Sequence, residues 1–448
     1  MEDIKFEDLT EGQRLAHDGV MDIIEGREVK THILIKGEAG CGKSLLTKFL
    51  LDSIIKTGIR GIILTAPTHQ AKNVLANMAG KEANTIHSIL RIKPDTYEDV
   101  KIFEQADVPK LDDCEILICD EASMYDDKLF SILMRSIPSR CIIIAIGDEE
   151  QIRAVDPYGS KKSPIFKDKR FKTFSLTEVK RATGPILELA RHIRSGGWTG
   201  AADLENQERD GESIMVVDDP KKILLEYLKN VKTPEDFKNN RILAYTNKLV
   251  DSCNKVIRKK IYGKDVPDFV KDELIVMQEP VTKKISIGGV MLDETLFNNS
   301  ERVKILSCDN TSDFFGLPGV PGKIMIRYWE LKVKSDEQDN NIVSTIKVIT
   351  DEDEKTKLQD LLNNAAIVYK DRSSGHRPNW KEFWKLKGNF KSVKYLPSCT
   401  FHKSQGASID NCYVFASQVD SNDHLNEEEK RELLYVGTSR ARKKLYIY

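Results

Sequence analysis

Gly37-Glu38-Ala39-Gly40-Cys41-Gly42-Lys43-Ser44 is a glycine, four residues, then Gly-Lys-Ser. The apolar run Ile33-Leu34-Ile35 precedes it and reads as a buried strand. After it, Leu45, Leu46, Phe49, Leu50 and Ile54 recur at helical spacing, ending near Gly58. Strand, glycine-rich turn, helix is the setting of a phosphate-binding loop. Its glycines let backbone N–H groups close on phosphate oxygens, helped by the positive end of the helix. Residues Gly37 to Leu45 would then cradle ATP, with Lys43 reaching the β- and γ-phosphates and Ser44 holding Mg²⁺.

Further on, Ile118-Cys119-Asp120-Glu121 places two acids at the end of an apolar run. Asp120 would hold Mg²⁺ through water, and Glu121 would polarise the attacking water. Loop and acids together predict nucleoside triphosphate hydrolysis. The stretch GDEEQIRAVDP (147–157) follows the next apolar run. There Gln151 would orient water or sense the γ-phosphate, and Arg153 would relay that state. Arg181 in LTEVKRATGP and Arg440 in YVGTSRARKK are the arginines expected to meet charge developing on the γ-phosphate. An arginine from a second domain would make hydrolysis depend on closure of a cleft.

The chain has 448 residues, too many for one core, so two or more domains are expected. No apolar run is long enough to span a membrane, and the acidic start MEDIKFEDLTEGQ has no apolar signal core. A cytoplasmic address is therefore expected. The eight cysteines form neither a CxxC pair nor a Cys/His cluster at zinc spacing, which argues against disulfides and structural zinc. A net charge of −1 leaves room for nucleic acid only through a local basic groove.

The first two hundred residues alternate strand and helix signals: GIILTAP (61–67), EILICD (115–120) and CIIIAIGD (141–148) are short apolar runs with polar C-terminal ends. Buried parallel strands have this form, with functional groups at the carboxyl edge. A second alternating set starts at RILAYTN (241–247) and resumes with LPSCTFH (396–402), NCYVFA (411–416) and KKLYIY at the C-terminus. Between them lie short β-type runs over about 270–350, a helical piece, and the aromatic-basic stretch NWKEFWKLKGNF. The reading is α/β: two similar halves, one carrying an insertion.

In this order the chain carries the phosphate loop, APTHQAK, TIHS, CDEAS, GDEEQ, VKR, AYTNK, TFHKSQGAS and LYVGTSRA. That order resembles superfamily 1 DNA helicases of the RecD-like branch, and most closely the Dda-type helicases of T-even bacteriophages, nearly throughout the chain. The opening FEDLTEGQ is similar to the family's adenine-recognition motif, with Gln13 as reader. Glu38 and Cys41 stand where the family usually has Pro and Thr, and Ser44 replaces Thr; these departures bear on affinity. The resemblance implies two RecA-like parallel-sheet domains: 1A over 1–200 with a pin insertion at about 88–112, and 2A over 201–268 and 395–448. It also implies an insertion domain 2B over 269–394, an SH3-like β-barrel with a tower. The implied activity is ATP- and Mg²⁺-dependent 5′-to-3′ translocation on single-stranded DNA with unwinding of forked DNA, in phage replication and recombination. The implied protein is a monomer meeting a single-strand-binding protein and replication or recombination proteins.

On that reading Pro67, His69, Thr85 and His87 in the first half would contact DNA, with Thr246, Asn247, Thr400, His402 and Lys403 in the second. Gln405 would couple grip to nucleotide. In the stretch RIKPDTYEDVKIFEQADVPK, Pro94 and Phe103 would serve a wedge with an aromatic tip. Trp380 and Trp384, four residues apart on a helix, read as a packing face anchoring the tower, or with the nearby lysines as a strand-gripping surface. An RNA helicase on the same scaffold and an ATP-gated clamp that binds DNA without translocating are the alternatives.

Overall fold

The computed structural model describes residues 5–38, 40–97, 100–105, 108–153, 162–178, 184–287, 290–336, 341–370 and 378–448; the side chains of 69–70, 93–105, 284–287 and 290–294 are not described. The first half runs α1 (Glu11–Ile24), β1 (His32–Gly37), α2 (Lys43–Lys56), β2 (Ile62–Ala66), α3 (His69–Ala79), β3 (Asn84–Thr85), α4 (Ile86–Ile89), β4 (Ile92–Tyr97), β5 (Val100–Gln105), β6 (Ile116–Cys119), α5 (Asp127–Ser136), β7 (Ile142–Gly147), β8 (Phe171–Leu176) and α6 (Pro185–Arg194). Six strands form one sheet in the order β3-β2-β6-β7-β1-β8, with every pairing parallel.

The continuous apolar runs are explained by burial on both faces. In β1, β6 and β7, residues Ile33, Ile35, Ile116, Ile118, Ile142, Ile144 and Ile146 join one core with α1, α2 and α3. Their neighbours Leu34, Leu117, Cys119, Ile143 and Ala145 join a second core with α4 and α5. Period-two alternation thus feeds two apolar layers instead of one, and β6 and β7 leave no position for a polar residue before their carboxyl ends. β4 and β5 pair apart from the sheet as an antiparallel hairpin, between α4 and β6.

The second half begins with β9 (Gln207–Arg209), β10 (Glu212–Val216), α7 (Pro220–Asn230), β11 (Asn240–Ala244) and α8 (Asn247–Tyr262). An insertion follows: β12 (Leu274–Met277), β13 (Val281–Ile287), β14 (Val290–Phe297), β15 (Arg302–Phe315), β16 (Ile324–Ser335), β17 (Val343–Val348), α9 (Glu352–Lys370), α10 (Trp380–Lys387) and β18 (Val393–Tyr395). The chain returns through β19 (Ser398–Thr400), α11 (Phe401–Ser404), β20 (Ile409–Val414), α12 (Ser417–Asp420), α13 (Glu427–Ser439) and β21 (Ala441–Ile447). The second sheet has the order β19-β11-β20-β21-β10-β9. Its β11, β20, β21 and β10 pair in parallel, and β9 is an antiparallel edge. α6, within the span 1–200 read as the first domain, buries Ile186, Leu189, Ala190 and Ile193 in the core of this second sheet.

Both sheets belong to one compact unit, and a second unit comprises residues 228–238 and 251–398. In that second unit β17-β16-β15-β12-β18 form an antiparallel sheet, and β13 and β14 a separate hairpin. Strands β15 and β16 are long enough to serve two cores. Val303, Ile305, Leu331 and Val333 lie in the barrel core. Ile326 and Tyr328 lie in another, with Leu361, Ala365 and Tyr369 of α9 and Phe383 of α10. Trp380 packs edge-on against Tyr369 and Phe383, whereas Trp384 is half exposed beside Lys387. Arg258 of α8 makes a buried two-bond pair with Glu273 (2.5 and 2.9 Å) and lies over the Tyr395 ring, tying the helix to β12 and β18.

All eight cysteines are free. Among the described residues no helix is long and apolar enough to cross a membrane.

Gly437 of α13 faces the Phe401 ring of α11 so closely that a Cβ there would collide with it. Gly437→Ala should therefore destabilise the protein by about 1–3 kcal/mol through overpacking, read as a lower melting temperature. Adding Phe401→Leu should recover part of the loss.

Candidate active site and nucleic-acid interface

The phosphate loop joins β1 to α2. Gly42 is the N-cap of α2 in the left-handed region (φ 75°), and Gly40 is also left-handed (φ 87°). A side chain at Gly42 would besides strike the Gln13 amide. Gln13 closes a capping box at the start of α1: Thr10 Oγ1 accepts from Gln13 N, and Gln13 Oε1 accepts from Thr10 N. Its remaining amide group donates to Cys41 O at 2.9 Å. Both ends of the amide of Gln13, the expected adenine reader, are engaged here by Thr10 N and Cys41 O. Lys43 Nζ donates to Gly37 O (2.6 Å) and Glu38 O (3.0 Å). Ser44 lies in the first turn of α2 with Leu45 behind it, and the buried Cys41 thiol is pushed up by burial. Ala39 lies outside the described residues.

Asp120 and Glu121 follow the buried strand β6. Burial pushes the Asp120 carboxyl up to about 7, with the adjacent Glu121 charge adding to the shift. Glu121 has a left-handed backbone (φ 51°), an uncommon conformation for a side-chain-bearing residue, and its N–H donates to Asp120 Oδ1. A carboxyl oxygen held at a strand end beside the phosphate loop is a donor that a divalent cation suits, so Asp120 fits Mg²⁺. Among the described residues no group of three or more His, Cys, Asp or Glu could hold a metal unaided.

Contacts from elements packed on the second sheet converge on this edge of the first. Arg191 of α6 grips Glu38 of the phosphate loop, with Nε at 2.9 Å and Nη2 at 2.8 Å from Oε1. Arg194, one turn on, reaches the fully buried Asp148 (3.1 Å), which also accepts from Tyr435 Oη of α13 (2.6 Å). Gln405 donates to Gln151 Oε1 (3.3 Å), Ser123 Oγ (3.4 Å) and Ile152 O (3.4 Å). Arg153 pairs with Glu432 (2.5 Å) and Glu428 (3.0 Å), Lys162 with Glu150 and Glu428, and Arg431 with Glu150 (2.6 Å). Hydrogen bonds from Arg153 and Lys162 hold the Glu428 carboxyl down at about 2, while burial pushes that of Glu432 up against its arginine. Arg440 is engaged within its own half: Nε donates to Val436 O, Nη1 to Ala407 O and Nη2 to Ser439 Oγ, each at 3.2 Å. Arg181 lies outside the described residues.

The expected DNA contacts fall on four equivalent strand ends. β2 ends in Ala66-Pro67-Thr68-His69 and β11 in Ala244-Tyr245-Thr246-Asn247. The edge strands β3 and β19 end in Thr85-Ile86-His87 and Thr400-Phe401-His402. In all four, the threonine hydroxyl caps the helix that follows, accepting from Ala71, Leu249, Ser88 and Lys403 N respectively. The two pairs occupy matching places in the two sheets, β3 beside β2 and β19 beside β11. Burial lowers the His87 and His402 imidazoles below their ordinary value, so both are neutral at pH 7; Lys403 beside His402 is exposed. The side chains of His69, Pro94 and Phe103 lie outside the described residues. The register pairs Phe103 with Pro94 along the β4–β5 hairpin, and its last pair is Tyr97 with Val100, so Phe103 is a strand residue and not the tip.

Sequence reasoning missed Arg191, Arg194, Asp148, Tyr435 and the Glu428–Glu432 network. The Thr10-x-x-Gln13 signature was visible as a capping box. The α6 arginines had no local signal, because basic residues in a last helical turn are ordinary.

Comparison with known proteins places this geometry. The chain is 43% identical over 442 residues to the ATP-dependent DNA helicase dda of Enterobacteria phage T4, covering 98% of each. The chain belongs to the Dda helicase family. It is thus a superfamily 1 helicase enzyme. The Dda helicase SH3 domain family matches residues 266–395, an AAA domain matches 22–157, and a UvrD-like helicase C-terminal domain matches 398–448. The RecBCD enzyme subunit RecD of Buchnera aphidicola is 23% identical over 468 residues, 93% of this chain and 70% of that one. The crystal structure of Pif1 helicase from Candida albicans shares the fold, two RecA-like domains with an SH3-like insertion: TM-score 0.51, 16% identity, 98% of this chain and 94% of that one.

In this Dda-family enzyme the folded pKa of Asp120 lies above its unfolded value of about 3.9. Its contribution to stability is therefore present below about pH 4 and lost as pH rises through 7. Asp120→Asn should abolish ATP hydrolysis yet raise the melting temperature at pH 8 without Mg²⁺, with the gain shrinking at pH 5. A melting temperature lowered equally at both pH values would refute the raised carboxyl.

Proposed function

We propose that this chain is an ATP- and Mg²⁺-dependent motor that moves 5′-to-3′ along single-stranded DNA and unwinds forked duplexes, serving phage replication and recombination. The observation that carries the reading is the doubled set of threonine-capped strand ends, one pair per sheet, beside a phosphate loop whose surroundings come from both halves. Two equivalent grips that can shift relative to one another around a nucleotide are what stepping along a strand needs. Capped helix starts point backbone N–H groups outward at the carboxyl edge, where phosphate oxygens would accept them.

In this reading 1–200 is motor domain 1A, 201–268 with 395–448 is 2A, and 269–394 is the inserted 2B. The hairpin near 88–112 is the wedge, with Pro94 and Phe103 on its strands. Lys43 reaches the β- and γ-phosphates, and Ser44 and Asp120 would hold Mg²⁺. That cation would neutralise charge on the phosphates while Glu121 takes the proton from the attacking water. Gln151 reports the γ-phosphate, and Arg181 and Arg440 supply positive charge to it on closure. Gln13 fixes the loop and its adenine side. The same resemblance supports a monomer working with a single-strand-binding protein in the host cytoplasm.

Two matched partial duplexes, one with a 5′ tail and one with a 3′ tail, test the reading with ATP and Mg²⁺. Unwinding from the 5′ tail alone is expected, with hydrolysis stimulated by DNA more than by RNA of the same sequence. Unwinding from the 3′ tail alone would reverse the polarity, and stimulation without unwinding would point to the clamp. At the second-half grip, Lys403→Ala should weaken single-strand binding and flatten its salt dependence by about one unit of slope. His402→Ala should weaken binding with the slope unchanged, because the imidazole is neutral. A slope lowered by both substitutions would mean that His402 carries charge in the complex.

A further inference from the structure

Glu38 sets a carboxylate on a loop whose task is to receive a triphosphate. Glu38 is largely buried, in the second position of the phosphate loop, and Lys43 Nζ is hydrogen-bonded to its carbonyl at 3.0 Å. A fixed negative charge there would repel the phosphates, and low solvent access would leave that repulsion poorly screened. The structure places one cation directly on it. Arg191 meets Glu38 Oε1 through both Nε (2.9 Å) and Nη2 (2.8 Å), a charge-assisted contact.

Arg191 does not belong to the loop's own core. α6 buries Ile186, Leu189, Ala190 and Ile193 against the second sheet, which leaves Arg191 and Arg194 on its other face. Arg194 is hydrogen-bonded to Asp148 and feels the Glu38 charge only through space, so the direct contact with Glu38 is that of Arg191. Arg191 therefore compensates a charge on the loop while riding on the opposite core.

We propose that Arg191 is the counter-charge that allows Glu38 to occupy the phosphate loop, and that this pair sets the enzyme's affinity for the triphosphate. The inference rests on the reading of Gly37–Ser44 as the ATP site. Arg191 is a positioning residue in this scheme: it acts on the nucleotide through Glu38.

The test measures binding of a fluorescent ATP analogue without DNA, and the KM and kcat of single-strand-stimulated hydrolysis, in four proteins: wild type, Arg191→Ala, Glu38→Gln and the double variant. Arg191→Ala should weaken nucleotide binding and raise KM about tenfold, equivalent to about 1.4 kcal/mol, with kcat changed much less. Glu38→Gln, which leaves an uncompensated arginine beside the phosphates, should tighten binding about threefold. The double variant should bind at least fivefold more tightly than Arg191→Ala alone, roughly. The defect of Arg191→Ala should also shrink as salt is raised, as a repulsion does.

A double variant as weak as Arg191→Ala would overturn the proposal, since Arg191 would then be touching nucleotide itself or supporting the fold. So would an Arg191→Ala protein that binds as wild type does. If Arg191→Ala is unstable, Arg191→Lys keeps the charge and should show a smaller increase in KM, reversed by Glu38→Gln. Wild-type protein that neither binds the analogue nor hydrolyses ATP would instead reject the nucleotide site itself.

Discussion

A parallel sheet covered by helices on both faces can show polar chemistry only where its strands stop. In the first sheet β6 and β7 are buried at every position, and the next residues are Asp120 and Asp148. The same constraint leaves the N–H groups of each following helix without intrahelical partners. The chain answers it in two ways. Glycines at 40 and 42 open the turn before α2, leaving its N–H groups for an anion. Threonines at 68, 85, 246 and 400 cap the helices after the other strand ends. The phosphate loop and the four threonine caps thus occupy one kind of location, the carboxyl ends of strands.

A second constraint is that charges withdrawn from water must be paired. The first half carries Glu38, Asp148, Glu150 and Arg153 at or near the strand ends, and partners for them come from α6 and α13. α13 meets the sensor stretch through Glu428 and Glu432, meets Asp148 one turn later through Tyr435, and ends at Arg440. One helix of 13 residues therefore holds that single stretch at Asp148, Glu150 and Arg153. Removing one member of such a buried network leaves the other charge uncompensated, at a typical cost of about 3–5 kcal/mol. Paired groups of this kind favour a small number of discrete arrangements over a continuum.

The α/β plan was legible because periodicity is local: Ile33-Leu34-Ile35, Ile116–Cys119 and Ile142–Gly147 are strands where their apolar runs say so. The insertion was legible from turn-separated β-type runs. The T-x-H correspondence of Thr85 and Thr400 was in print as well, but the whole insertion stands between its two members. Phe103 shows the opposite case, since an aromatic in a loop-like stretch gives no sign of where a hairpin turns. Register decides that, and it sets Phe103 opposite Pro94. Trp380 and Trp384 share one helical face by spacing, yet the former is partly buried against Tyr369 and Phe383 while the latter is half exposed.

What the sequence by itself determined were the features written in backbone and pattern: the phosphate loop, the acid-bearing strand end, the motif order and the family. These depend on φ/ψ preferences and apolar spacing over a few residues. Tertiary structure alone decided which long side chains meet. Arg191 on Glu38, Arg194 on Asp148 and Arg153 on Glu432 join residues more than a hundred positions apart, apart from the second pair at 46. An arginine's reach is several ångströms in many directions, so its partner follows from how α6 and α13 are laid on their cores. Periodicity says that a helix buries one face; it does not say which acid the other face will find.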